Sequence, residues 1–184
     1  MGIKGLFEYV GQALRQGHIS EFRAKTLGVD ISCLLHKSIY VAASRFSEEE
    51  KSRIFCGNEP EFVKRYHEAV LKHLHLYLDY MLRYIGKIVL VFDGKAPLNK
   101  IRKLKAEAES GPSPLATPYT LPKFRITREI VELVKTEFSK CQKIEIVQSP
   151  GESDPQLAFL SLNGVVDVLV TDDSDLIVYG CERV

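Results

Sequence analysis

The chain has 184 residues, of which 45% are hydrophobic, 27% charged and 9% aromatic; this suits one globular domain with a real core and excludes a disordered or fibrous protein. No apolar run reaches the ~18 residues of a membrane-spanning helix, so a transmembrane protein is excluded. The net charge is +1, from 25 Lys+Arg against 24 Asp+Glu, which excludes a globally basic nucleic-acid coat but leaves room for a local basic patch.

The N-terminus reads Met1-Gly2-Ile3-Lys4-Gly5-Leu6. It lacks the apolar core of a signal peptide, and Leu6 disfavours myristoylation, which needs Ser or Thr there. Cys33, Cys56, Cys141 and Cys181 form no C-x-x-C pair, so they read as isolated thiols of a soluble protein in a reducing compartment rather than as a zinc ribbon.

The first expected strand is Leu27–Ile31. The clearest helical pattern follows over Pro60–Ile85, with Phe62, Val63, Tyr66, Val70, Leu74, Tyr77, Leu78 and Met81 at helical spacing. A second strand is expected over Lys87–Asp93. The charged stretch Lys100–Glu109 leads into Ser110–Pro122, which holds Pro112, Pro114, Pro118 and Pro122. That proline density forbids helix and marks an insertion. An amphipathic helix is expected over Ile126–Phe138, a third strand over Lys143–Gln148 and a fourth over Val166–Thr171. The strands are short, continuous apolar runs, as suits a parallel sheet covered on both faces. Alternating with helices, they imply a doubly wound α/β fold.

Acidic residues stand where these strands end. Asp30 belongs to the first, Asp93 to the second, Glu152 and Asp154 to the third, and Asp173 and Asp175 to the fourth. In open α/β sheets, sites form beyond the carboxyl ends of the strands, so all six are expected on one edge. Taken singly, each has a structural explanation; Asp154, for example, could cap a helix ahead of Pro155. Taken together, six converging carboxylates cannot all stay ionised without cations. Oxygen-only donors favour Mg²⁺ or Mn²⁺ over Zn²⁺. Two ions about 3.5–4 Å apart would suit in-line attack on a phosphodiester.

Four stretches carry a family resemblance. They are Met1–Leu6, Val91-Phe92-Asp93-Gly94-Lys95-Ala96-Pro97, Pro150–Ala158 (PGESDPQLA) and Thr171-Asp172-Asp173-Ser174-Asp175-Leu176. The chain resembles the nuclease region of the XPG/flap endonuclease family, the 5′ structure-specific nucleases. Through Val29–Lys37 and Glu152–Ala158 it is most similar to the exonuclease 1 branch. The resemblance implies a PIN-like, Rossmann-like fold: a mostly parallel twisted sheet flanked by helices, with a shortened, Pro-rich arch. It implies a single partial nuclease domain over residues 1–184, with an N-terminal region 1–99, a variable arch segment 100–125 and an internal region 138–184. The helix-two-turn-helix part of the family would be missing.

The implied activity is that of a Mg²⁺-dependent 5′-to-3′ DNA exonuclease and 5′-flap endonuclease of repair or replication, using two ions that Mn²⁺ can replace. By resemblance Asp30, Asp93, Glu152, Asp154, Asp173 and Asp175 would bind metal directly or through neighbours. Asp30, Asp93, Glu152 and Asp154 would serve mainly one ion, and Asp173 and Asp175 the other. Lys100 would contact the scissile phosphate, with Arg102 and Lys103 adding basic contacts. His36 would pack on the DNA near the cut, and Gly2 would lie close to the active site. Alone, His36 reads equally as a residue packing at a helix edge, and the Lys100–Lys105 cluster as a solvated face. His67, His73 and His75 read as core-edge or surface residues. The implied partner is DNA with 5′ ends, flaps or nicks, with no membrane. Repair proteins would bind through the missing C-terminal part, and the location would be nuclear.

Two departures from the family stand out. The arch interval is shortened, and Glu107 stands where the family carries an Arg fourteen residues after the strand-end Asp. The chain also stops at Val184, before a further acidic ligand. These departures motivate an alternative, a catalytically impaired nucleic-acid-binding or scaffold protein that retains the fold. A phosphatase on a similar sheet fits less well, for want of an Asp-x-Asp-x-Thr nucleophile motif.

Overall fold

The computed structural model describes residues 3, 5–56, 59–95 and 126–184. The arch segment 100–125, Gly2, Lys100, Arg102 and Lys103 lie outside the described residues. In chain order the elements are α1 (Leu6–Tyr9), β1 (Thr26–Asp30), α2 (Ile31–Ala43), α3 (Glu48–Cys56), α4 (Pro60–Leu82), β2 (Lys87–Phe92), α5 (Arg128–Phe138), β3 (Ile144–Gln148), α6 (Ser153–Leu162), β4 (Val168–Val170) and α7 (Asp175–Val178). Two short 3₁₀ turns, Gly11–Ala13 and Ile19–Phe22, precede β1.

The four described strands form one parallel sheet in the order β3-β2-β1-β4. The chain moves outward from β1 to β2 and β3, then returns to add β4 on the other side of β1. This reversal opens a crevice between the carboxyl ends of β1 and β4, the place where open α/β sheets bind ligands.

Alternation along the strands builds two cores. On one face Leu27, Val29, Ile88, Leu90 and Phe92 pack with Leu35 and Ile39 of α2, Leu74 and Leu78 of α4, and Ile130 and Val134 of α5. On the other, Val89, Val91 and Leu169 pack with Leu157, Ala158 and Leu160 of α6 and Leu176 of α7. Gly28 faces this second layer. A Cβ there would sit 2.8 Å from Leu169 Cδ2 and 3.1 Å from Leu157 Cδ2, so its missing side chain lets α6 lie close against β1.

The expected strands and the two expected helices are present, with corrected ends. Ile31 does not close β1; it opens α2, because Asp30 leaves the strand and caps the helix, accepting a hydrogen bond from Ser32 N at 3.1 Å. The last helix pattern starts at Arg128 because the Thr127 side chain accepts from Ile130 N at 3.3 Å and sets the N-terminus there. The long helix stops at Leu82 rather than Ile85, and β4 spans only Val168–Val170. Five of the described helices were not placed from sequence, α1, α2, α3, α6 and α7, although the Asp154-Pro155 pair had marked a possible helix start where α6 begins. Among the described residues no helix is long and apolar enough to cross a membrane.

Candidate metal centre

The site is built on strand ends. Asp30 ends β1 and is only 5% exposed, and a carboxylate so buried needs partners. It has two besides its cap bond: Thr171 Oγ1 donates to Oδ2 at 3.2 Å and Ser153 Oγ donates to Oδ1 at 3.4 Å; Cys33 Sγ in turn lies 3.5 Å from the same Thr171 hydroxyl. Burial pushes the Cys33 thiol above its ordinary range, so it stays a neutral thiol at the rim.

Asp93 follows β2. Its Oδ2 accepts from Ser32 Oγ at 2.6 Å, and its Oδ1 accepts from Ser153 N at 2.8 Å. The backbone behind it is crowded. Gly94 N donates to Gly151 O at 2.6 Å, and a Cβ on Gly94 would fall 2.0 Å from Ser149 O. Only glycine lets the chain after β2 lie against the loop that opens α6.

Glu152 is the N-cap of α6, and Asp154 lies in its first turn. The positive end of a helix favours acids there, yet Asp154 is held as no ordinary cap residue. One oxygen each of Asp154, Asp173 and Asp175 lie within 4.8 Å of one another, the one such group of His, Cys, Asp and Glu among the described residues. Burial, and then the charges of Asp30, Asp173, Asp93 and Asp175, push the Asp154 carboxyl up to about 6. Burial and Asp173 also push Asp175 above its ordinary range. Its Oδ1 is buried with no hydrogen-bond donor among the described residues.

These observations test whether the residues fit a cation. Clustered carboxylates raise one another's pKa when nothing positive stands between them. A buried carboxylate oxygen without a donor is costly unless something else meets it. All the donors are oxygen. The group therefore fits a hard divalent cation such as Mg²⁺ or Mn²⁺.

The 171–175 loop that carries Asp173 and Asp175 is fastened along its length. Asp173 N donates to Thr171 Oγ1 at 3.0 Å, Asp175 N donates to Asp173 Oδ1 at 3.1 Å, and Ile3 N donates to Ser174 Oγ at 2.9 Å. Lys37 Nζ lies 2.6 Å from Asp172 Oδ2.

Of the six carboxylates named from sequence, five converge: Asp30 and Asp93 through shared hydroxyl and backbone donors, and Asp154, Asp173 and Asp175 as the close triad. Asp154 thus joins the fourth-strand pair in the triad while also feeling the charges of Asp30 and Asp93. Glu152 lies on the same sheet edge, half-buried and outside the triad. His36 is exposed on α2. His73 Nδ1 lies 2.9 Å from Ser38 Oγ, and His75 Nε2 3.1 Å from Glu137, the helix-packing and surface roles expected of them. The sequence reading missed Ser32, Ser153 and Thr171, the hydroxyl residues that orient the acids. Their one sequence signal is position, each within two residues of a strand-end carboxylate.

Residues 1–110 match the XPG N-terminal domain, and residues 143–184 match the XPG I-region. The chain belongs to the XPG family. Exonuclease 1 of Xenopus laevis is 27% identical over 199 residues, covering 100% of this chain and 25% of the relative. The chain spans about a quarter of the length of the curated relatives it matches. The catalytic core of Rad2 in complex with DNA substrate shares the fold with a TM-score of 0.68 at 19% identity, over 98% of this chain and 49% of that one. The Holliday junction-resolving enzyme GEN1, in complex with product DNA and Mg²⁺, aligns with a TM-score of 0.57 at 18% identity, over 97% of this chain and 35% of that one.

Proposed function

We propose that this XPG-family chain carries the metal-binding core of a 5′ structure-specific DNA nuclease, with Mg²⁺ as the resident ion and Mn²⁺ able to replace it. One observation carries the reading: the Asp154, Asp173 and Asp175 triad at the β1/β4 crevice, with a buried Asp175 oxygen that no donor among the described residues meets. The Exonuclease 1 relatives and the DNA complexes of its structural neighbours support the substrate class.

Asp154, Asp173 and Asp175 would hold one ion, and Asp30 and Asp93, with Glu152 on the same sheet edge, would complete a second position. Divalent ions held there supply activation of a water and neutralisation of charge on the phosphate in phosphodiester hydrolysis. The chain's own residues prepare that chemistry. Ser32 and Ser153 N hold both oxygens of Asp93, Thr171 holds Asp30, and the β4 loop presents Asp173 and Asp175 on fixed backbone. Such supporting hydrogen bonds fix carboxylate orientation before a ligand arrives. His36 lies exposed on α2, where a strand leaving the site can pack. Lys100, Arg102, Lys103 and Gly2 take their DNA contacts in this proposal from the family likeness alone, as does a nuclear location.

The test is cleavage of a labelled duplex with a recessed 5′ end, in Mg²⁺, in Mn²⁺ and in EDTA, with Asp173→Ala beside the wild type. Metal-dependent release of 5′-phosphorylated product by the wild type alone is expected. Equal cleavage by Asp173→Ala would overturn the reading. Metal-independent DNA binding without turnover would establish the scaffold alternative instead.

A further inference from the structure

Asp173 stands on the loop that follows a strand of three residues, and Asp175 opens α7, which Leu176 anchors in the second core. Carboxylates that repel one another here are also held by contacts from outside the loop. Three of the described fastenings are hydrogen-bond contacts: Thr171 Oγ1 to the Asp30 carboxylate, Cys33 Sγ beside Thr171 Oγ1, and Ile3 N to Ser174 Oγ. A fourth is an ion pair: Lys37 on α2 and Asp172 on the β4 loop, 135 positions apart, at 2.6 Å between Nζ and Oδ2. Asp172 immediately precedes Asp173. Lys37 lies on the helix whose N-cap is Asp30. The pair therefore ties the loop bearing one set of acids to the helix capped by another, across the β1/β4 crevice.

We propose that Lys37 is a positioning residue for the metal centre: through Asp172 it sets the 171–175 loop so that Asp173 and Asp175 meet Asp154 in the arrangement a divalent cation takes. The inference rests on the reading of the triad as a cation site. Asp172 takes no part as a ligand; its charge is spent on Lys37. The Lys37 and Asp172 side chains are 46% and 53% exposed. Solvent at this exposure weakens an ion pair, so the expected effect on cation affinity is about 2–5-fold rather than a collapse. An ordinary surface ion pair would leave affinity unchanged.

The test is a Mn²⁺ titration of the full chain, with free ion followed by electron paramagnetic resonance. Three proteins are compared: wild type, the double variant Lys37→Met with Asp172→Asn, and Lys37→Arg. The double variant removes the pair while keeping the net charge, so it separates positioning from the local field. It is expected to bind Mn²⁺ about 2–5-fold more weakly, while Lys37→Arg, which keeps the pair, retains wild-type affinity. Wild-type affinity in the double variant would overturn the proposal, as would equal weakening in Lys37→Arg. Failure of the wild type itself to bind Mn²⁺ would overturn the cation-site reading beneath it, a result distinguishable from the other two.

Discussion

Asp154→Asn is expected to stabilise the metal-free protein while destroying its metal site. The Asp154 carboxyl is pushed up to about 6 from an ordinary 3.8, first by burial and then by four neighbouring aspartates. Ionised in the folded state, it costs about 3 kcal/mol if the whole difference is felt. Solvent reaches this partly buried group, and screening reduces the cost to ~1–2 kcal/mol. Asparagine keeps the shape and carries no charge. In a domain of this size 1 kcal/mol moves the melting temperature by about 2–4 °C, so the variant should melt ~2–8 °C above wild type in EDTA at about pH 7.5. The sign of the pH dependence follows from linkage. Between its unfolded value and about 6, the folded wild type binds the extra proton, so its stability falls as pH rises through that window. Below the window Asp154 is neutral in both states, and the advantage of the variant disappears. The assay is thermal unfolding of both proteins in EDTA across this range, then with Mn²⁺ added. The metal should raise the wild-type melting temperature and leave the variant almost unmoved, because only a bound ion stabilises by mass action. An apo variant no more stable than wild type at neutral pH, or an advantage that does not change with pH, would refute the electrostatic reasoning.

Two further outcomes follow from the supporting contacts. Ser32→Ala removes the hydroxyl that donates to Asp93 Oδ2 at 2.6 Å; cleavage at limiting Mg²⁺ should fall about 10-fold and recover as Mg²⁺ is raised, whereas a loss that persists at saturating Mg²⁺ would place Ser32 in the chemistry itself. Gly94→Ala drives a Cβ to 2.0 Å from Ser149 O, so equilibrium denaturation should show a loss of ~1–3 kcal/mol; an unchanged midpoint would mean the α6 entry loop yields freely.

The sheet was legible because each strand is a short, doubly buried apolar run, and Val89, Leu90 and Val91 are at most 2% exposed. The acids were legible because strand ends in such sheets face one edge. The helices beside them were harder. Ile31 extends the apolar run of β1, so α2 is masked at its start; only the capping bond to Asp30 separates strand from helix. In α6, Pro155 near the N-terminus and the small buried faces of Leu157 and Ala158 leave a weak periodic signal. Without the phase of α6, sequence could not say that Asp154 reaches Asp173 and Asp175 as well as standing within the field of Asp30 and Asp93. The roles of Ser32, Ser153 and Thr171 were illegible for a different reason. A hydroxyl has many structural uses, and nothing in its local sequence tells which carboxylate it faces.

Crystals soaked in Mn²⁺ and measured at an energy where manganese scatters anomalously show whether Asp154, Asp173 and Asp175 bind one divalent cation. An anomalous peak bounded by those three carboxylates is expected, and it should be lost in Asp173→Ala crystals. A peak elsewhere on the sheet edge, with none in the triad, would contradict the cation-site reading.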